Sequence, residues 1–378
     1  MGDVKNENDV IGVALIGIGR IGKVHVSNIL RLPRVQLLYI IDVNRTFAEE
    51  YINEYNLVST TALHTDDVDT AYEDNRVDAV IVCCPTQMHE THVKAALKKG
   101  KAVMCEKPLA LSLESIVNCY KTAEDEKRPL FCAFNKRFDP QTAAIRSQIP
   151  EVVGRLKVVK SVSRDHPRNS IEYLKISGGI ALDMAIHDVD MLIWLADQIP
   201  DTIHAIGHAH FDDIRDIGDV DQLFITMKFP DGTLGHSDIN REATYGHDQR
   251  IEVFGSKGML SGGNIRPLCH ETHGNHGTTL PPIFDSCMSR YNESYRQEVM
   301  HFMDVVRGKS KLKVVGRETI WTTLCCHVVN ESLSTGNPVK VHEFVQKKFP
   351  HILSEIDTWG AKTNGAVKSN GAHHINGV

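Results

Sequence analysis

Gly12-Val13-Ala14-Leu15-Ile16-Gly17-Ile18-Gly19-Arg20-Ile21-Gly22 is the stretch whose reading decides how this chain folds. Gly12 to Ile16 has the length and apolarity of a buried strand, and it runs directly into G-x-G-x-x-G. In that setting the first glycine permits a tight turn and the second admits a pyrophosphate close to the backbone. The third lets the next helix pack on the strand with its first amides facing the anion. Gly17, Gly19 and Gly22, with Arg20 and Ile21 between them, are therefore candidate cofactor contacts. The hexapeptide alone recurs by chance, so its surroundings give it weight. A helical segment from about Ile21 to Leu30 follows, then a second apolar run from Val35 to Ile41 that ends in Asp42. Asp42 stands 20 residues beyond Gly22, where dinucleotide-binding units place an acid on the adenosine ribose. A carboxylate there accepts from a ribose 2′-hydroxyl and repels a 2′-phosphate, so NAD is expected rather than NADP. Arg45 tempers that preference, because a guanidinium could contact a phosphate or stack on adenine.

The alternation of helix and strand continues outward. Helices are predicted near 48–55 and 68–75, then a strand from Val77 to Cys83 that stops at Cys84-Pro85-Thr86-Gln87-Met88-His89. Another helix runs to Lys99, followed by the strand Ala102 to Cys105 and the turn Glu106-Lys107-Pro108. An open parallel sheet binds ligands beyond the carboxyl ends of its strands, so Pro85, Thr86, Glu106 and Lys107 converge on the same crevice as the glycine loop. A lysine after a strand is ordinarily a solvated cation. Beside a nicotinamide, Lys107 could instead hydrogen-bond a substrate hydroxyl and stabilise charge developing on its oxygen.

Further along, Gly178-Gly179-Ile180-Ala181-Leu182-Asp183-Met184-Ala185-Ile186-His187-Asp188-Val189-Asp190 sets an acid and a histidine four residues apart on a predicted helix. Leu182, Ile186, Val189, Ile193 and Ala196 define its apolar face, with Asp183, His187 and Asp190 on a neighbouring stripe. An imidazole exchanges protons near neutral pH, and a carboxylate one turn away can orient it, which suits removal of a proton from an alcohol. Around this helix the texture is strand-like from about Gly154, in Leu156–Val162, Asp221–Phe229 and Gln249–Gly255, punctuated by turns at Pro230-Asp231-Gly232-Thr233 and Gly255-Ser256-Lys257-Gly258. Strands without helices between them imply a large, mainly antiparallel sheet in an α+β unit, one face of which is free to pair between subunits. The chain thus divides into an α/β dinucleotide-binding domain over residues 10–134 and an α+β substrate and oligomerisation domain over 135–350. A tail over 359–378, rich in Gly, Asn, Lys, Ala and His, is expected to be disordered.

Composition excludes several classes. The 42 basic and 48 acidic residues leave a net charge of −6, too mild and too dispersed for a nucleic-acid footprint or a membrane surface. No apolar run approaches membrane-spanning length. Nine cysteines without regular spacing fit reduced, buried thiols, and the polar, acidic amino terminus is unlike a leader peptide, so a cytoplasmic location is expected. Cys269-His270-Glu271-Thr272-His273-Gly274-Asn275-His276 invites a zinc reading, but the spacing matches no closed structural site, and no metal is expected.

Taken together, the glycine loop, Pro85-Thr86 with His89 three positions on, Glu106-Lys107-Pro108 and Gly178-Gly179…Asp183…His187-Asp188 resemble the glucose-fructose oxidoreductase / inositol 2-dehydrogenase / rhizopine-catabolism (Gfo/Idh/MocA) family. Phe134-Asn135-Lys136-Arg137-Phe138-Asp139-Pro140, Ser163-Arg164-Asp165 and Tyr245-Gly246-His247-Asp248 resemble the inositol 2-dehydrogenases within it. The resemblance implies an N-terminal Rossmann domain, NAD as cofactor, and a homodimer or homotetramer. It implies catalysis by Lys107, Asp183 and His187, with His187 as general acid/base and Asp183 as its partner and a hydroxyl contact. His89 joins the cofactor residues, and Arg137, Asp165, Tyr245 and His247 the substrate side. His247 stands where inositol dehydrogenases tend to carry a second tyrosine, so a cyclic polyol or sugar is implied more firmly than inositol itself. A dihydrodiol or aldose dehydrogenase on the same scaffold, or an NAD-sensing regulator that turns nothing over, are the competing readings. Retention of a proton-transfer trio argues against the regulator.

Overall fold

The computed structural model describes residues 9–356, so the segment expected to be a disordered tail lies outside the described residues. The first six strands are β1 (Ile11–Ile16), β2 (Val35–Asp42), β3 (Thr61–His64), β4 (Val77–Val82), β5 (Ala102–Glu106) and β6 (Leu130–Ala133). They form one sheet in the order β3-β2-β1-β4-β5-β6, with every pairing parallel. β1 is buried at all its positions, as a strand covered on both faces must be. The cover comes from α1 (Arg20–Ile29), α2 (Arg45–Glu54), α3 (Asp69–Glu73), α4 (His89–Lys98) and α5 (Leu113–Asp125). Strand order reverses between β1 and β4, so a crevice opens there beyond their carboxyl ends. Apolar patterning passes over β3 and β6, because four residues are too few to display a period.

The second half opens with α6 (Pro140–Gln148), β7 (Leu156–Arg164) and the short α7 (Ile171–Leu174). A single wide π-helical turn at Ala181–Ala185 leads into α8 (Ile186–Ala196). Then come β8 (Thr202–His208), α9 (Asp212–Asp216), β9 (Gln222–Lys228), β10 (Leu234–Asn240), β11 (Asp248–Gly255) and β12 (Met259–Gly262). An exposed hairpin of β13 (Thr272–Gly274) and β14 (Gly277–Thr279) precedes α10 (Cys287–Arg290), α11 (Asn292–Val306), α12 (Gly316–Thr335), β15 (Val339–Lys340) and α13 (Val341–Lys348). Seven strands make the second sheet, in the order β12-β11-β7-β10-β9-β8-β15. Only β7 and β10 are parallel, so the expected antiparallel character holds with one exception.

α8 and α12 pack on one face of this sheet, through β7 and β8 respectively. On the other face Ile206, Phe224, Leu234 and Phe254 stay exposed. α11 returns to the first half and packs on α1, and one contiguous apolar core runs through both halves. That shared core fixes the position of α8 relative to the crevice of the parallel sheet. All nine cysteines are free thiols, six of them buried. No helix among the described residues is long and apolar enough to cross a membrane.

Candidate active site

The glycine loop has the geometry its sequence demands. Gly17 sits at φ +90°, and a side chain there would bring Cβ to 2.7 Å from the amide nitrogen of Cys84. At Gly22 a Cβ would stand 2.0 Å from the carbonyl oxygen of Gly17, so only glycine lets α1 start this close to the strand. Gly19 caps α1 without a side-chain hydrogen bond, and nothing lies within 4 Å of where its Cβ would be. The uncapped amides of the first helical turn therefore face open space, with Arg20 exposed beside them. Asp42 accepts from Ile18 N at 2.9 Å through one oxygen and from Asn44 N at 2.9 Å through the other, and it stays half-exposed at the end of β2. These groups fit a diphosphate on the loop and a ribose diol on Asp42, whose oxygens keep lone pairs for further donors. Arg45 is committed to Glu49 at 2.8 Å within its own helix, which leaves it no preorganised phosphate geometry.

Beyond β4 and β5 the turns are strapped together. Pro85 and Thr86 open the short helical turn after β4. His89, expected to touch the cofactor, instead lies buried with Nδ1 2.9 Å from Pro108 O and Nε2 2.8 Å from Cys84 O. Both ring nitrogens are consumed by backbone, so His89 positions the two turns rather than reaching into the crevice. Glu106 pairs with His25 of α1 at 2.7 Å.

Lys107 reaches across to the second half, where its Nζ donates to the main-chain carbonyl of Asp183 at 2.6 Å. The Asp183 carboxylate is elsewhere. It accepts from Tyr173 Oη at 2.8 Å and from Arg241 Nη1 at 2.9 Å, and Arg241 Nη2 also holds Asp219 at 2.7 Å. Asp219 in turn accepts from Ile180 N at 3.1 Å, which the turn at Gly178 and Gly179, φ +87° and +79°, makes possible. The expected Asp183–His187 pair is therefore absent in this arrangement, because the fully buried guanidinium of Arg241 outcompetes a neutral imidazole for the carboxylate. His187 has its Nδ1 buried without a hydrogen-bond partner among the described residues, while part of the ring remains accessible. Burial, and then the cations of Lys107 and Lys136 and the nearby His247, push its pKa well below the ordinary histidine value. It is a neutral imidazole under the influence of two lysine ammonium groups.

Asp165 and His247 lie together, with His247 buried and its Nδ1 3.3 Å from Asp165 Oδ1. Cys287, unforeseen from sequence, is half-buried, and burial and then the charge of Asp165 push its thiol pKa up, against the opposing influence of Arg20 and Lys107. Two other expectations fail. Arg137 is buried in a bidentate pair with Asp190, at 2.8 and 2.6 Å, and also bonds Glu318 at 2.7 Å, so its donors are engaged in joining α8 to α12. Its neighbour Lys136 is the cation that enters the site, 2.8 Å from Ser163 Oγ and 3.5 Å from Asp188 Oδ2. Tyr245 is half-exposed and hydrogen-bonds Asp248 at 2.6 Å and Arg164 at 3.0 Å. Ser163 of β7 faces α8 through Asp188, so the next residue, Arg164, points to the opposite face and takes Tyr245 with it. Tyr173 and Arg241 were also missed, since neither sits in a pattern that marks a site.

Comparison with known proteins agrees with this fold. The GFO_IDH_MocA model, described as an oxidoreductase family with an NAD-binding Rossmann fold, matches residues 11–134, and the GFO/IDH/MocA C-terminal domain matches residues 150–261. Inositol 2-dehydrogenase of Rhizobium meliloti is 35% identical over 306 residues, covering 80% of this chain and 91% of that protein. Myo-inositol 2-dehydrogenase of Thermotoga maritima is 32% identical over 338 residues, covering 88% and 99%. The crystal structure of a myo-inositol dehydrogenase from Corynebacterium glutamicum superposes with a TM-score of 0.82 at 31% identity, covering 88% of this chain and 98% of that one.

Proposed function

We propose, from the premise that this chain belongs to the GFO/IDH/MocA oxidoreductase family with its NAD-binding Rossmann fold, that it oxidises a secondary alcohol of a cyclic polyol, with myo-inositol the leading substrate. NAD, when bound along the glycine loop, supplies the hydride acceptor. The rest of the chemistry falls to the chain. The observation that carries the reading is that Lys107, from the end of the parallel sheet, reaches across to bond the Asp183 carbonyl one helical turn before His187, whose imidazole is held neutral by burial and the lysine's charge. The ammonium donates a hydrogen bond to the reacting hydroxyl and favours its oxygen as charge grows there, while the imidazole takes the proton. Asp183, fixed by Arg241 and Tyr173, presents an acceptor to a neighbouring hydroxyl, and Asp165, Lys136 and His247 offer further polar contacts around a ring. The names of the relatives point the same way, toward inositols. A panel of inositols, aldoses and dihydrodiols scored by NADH formation tests the proposal. Fastest turnover on an inositol is expected. Preference for an aldose or dihydrodiol would replace the substrate, and NADH binding without turnover on any of them would leave only a sensor.

Asp42→Ala should raise the KM for NAD about tenfold and erode the preference over NADP, since the substitution removes the ribose acceptor and loosens Ile18. Steady-state titration with both cofactors checks it. The apolar open face of the second sheet is best satisfied by a second copy of the chain, giving a homodimer or a homotetramer built from it. Light scattering should find such an oligomer, and Phe224→Glu, at the middle of that face, should shift it to a smaller species while leaving the circular dichroism spectrum unchanged.

A further inference from the structure

Behind the turn that carries Lys107, two helices from opposite halves of the chain face each other with polar atoms that have no partner among the described residues. α1 packs on α11, with His25 and Asn28 on the first helix and Tyr295 and Glu298 on the second, all buried. His25 Nε2 lies 2.7 Å from Glu106 Oε1, and its ring meets that of Tyr295 edge to face at 5.9 Å. Its Nδ1, the Asn28 side-chain nitrogen and both carboxyl oxygens of Glu298 have no hydrogen-bond partner among the described residues. Four such atoms on two packed helices, two from residues one turn apart on α1 and two from the one carboxyl of Glu298 on α11, are more than native interiors usually leave unpaired in one place. An enclosed water with two to four polar neighbours is the usual remedy.

We propose that α1 and α11 enclose an ordered-water site behind the lysine turn, where Glu298 sits as an uncharged carboxylic acid whose hydroxyl, through that water, supports the His25–Glu106 pair. The proton count favours it. Asn28 offers donors only from its nitrogen, Glu106 is a neighbouring negative group, and a neutral acid supplies a donor and an acceptor together. Burial, and then the charge of Glu106, push the Glu298 carboxyl well above the ordinary glutamate range. The other titratable groups near it are His25 on α1, Cys83 after β4, Cys132 on β6 and Tyr295 on α11 itself. Glu298 is thus held uncharged next to the turn that aims Lys107.

The sign of the pH effect follows. A carboxyl whose folded pKa is raised stabilises the fold below the unfolded pKa, and that contribution is lost as pH rises toward the folded value. Glu298→Gln keeps the size and removes the titration. Its gain in melting temperature over the parent chain should be near zero around pH 4.5 and grow to about 3 °C or more by pH 8. A gain that does not change with pH overturns the uncharged acid. Glu298→Met fills the place without polar atoms, and it should melt below the Gln variant at every pH, because His25 and Asn28 lose the water. Equal or higher melting for Met, or a crystal structure at atomic resolution with no water within hydrogen-bond distance of Glu298, overturns the enclosed site.

Discussion

Replacing His187 by Gln is expected to leave NADH binding within about twofold of the parent and to lower kcat for polyol oxidation by about 10²–10⁴-fold, the range over which a positioned general base contributes. The basis is a charge argument as much as a geometric one. An imidazole in water is half protonated near pH 6.5 and half its population is unfit to accept a proton. Here burial and the surrounding cations hold His187 neutral well below that pH, so nearly the whole population is competent under neutral conditions. The acid limb of kcat/KM should therefore lie below pH 6.5, falling as pH falls because protonation removes the base. A Gln variant that turns over at the parent rate would show that another group takes the proton.

Lys107→Met should cost kcat about 10²–10³-fold, comparable with removal of one donor to a developing oxyanion. It should also do something a merely structural lysine would not. Lys107 is, after burial itself, the leading influence that disfavours a protonated His187. With the ammonium gone, the imidazolium becomes easier to form, and the acid limb of the residual activity should move to higher pH. The shift is partial, since burial and Lys136 remain. Measuring kcat/KM from pH 5 to 9 for both chains reads the two effects separately. A loss of rate with an unmoved limb would place Lys107 away from His187, and an upward shift with full rate would leave it an electrostatic neighbour without a substrate role.

How far the sequence carried varies with the range of the interactions involved. The glycine loop was legible because most of its causes are local: Gly22 faces the backbone of Gly17 in the same strand-turn-helix unit, and Asp42 bonds the loop it follows by one strand, whereas the backbone of Cys83 and Cys84 that Gly17 faces comes from the end of β4. The position of Lys107 directly after β5 was also legible, because an apolar run ends there. Pairing across the fold was not legible. Nothing four residues from Asp183 announces that Arg241, 58 positions later, will take its carboxylate, nor that Tyr173 will take the other oxygen. Arg137 and Lys136 are adjacent cations on one helical turn, and composition cannot say which turns inward to Asp190 and which toward Ser163. Tyr245 failed for a similar reason, since a one-residue change of side on a sheet reverses every contact.

The central claim is that one hydroxyl is shared by two nitrogens from opposite halves of the chain. A crystal structure of the protein with NADH and myo-inositol tests it most directly. The account predicts a single inositol oxygen within hydrogen-bond distance of both Lys107 Nζ and a ring nitrogen of His187, on the carbon that faces the nicotinamide. An inositol bound with those nitrogens on different hydroxyls, or seated away from α8 altogether, would contradict it.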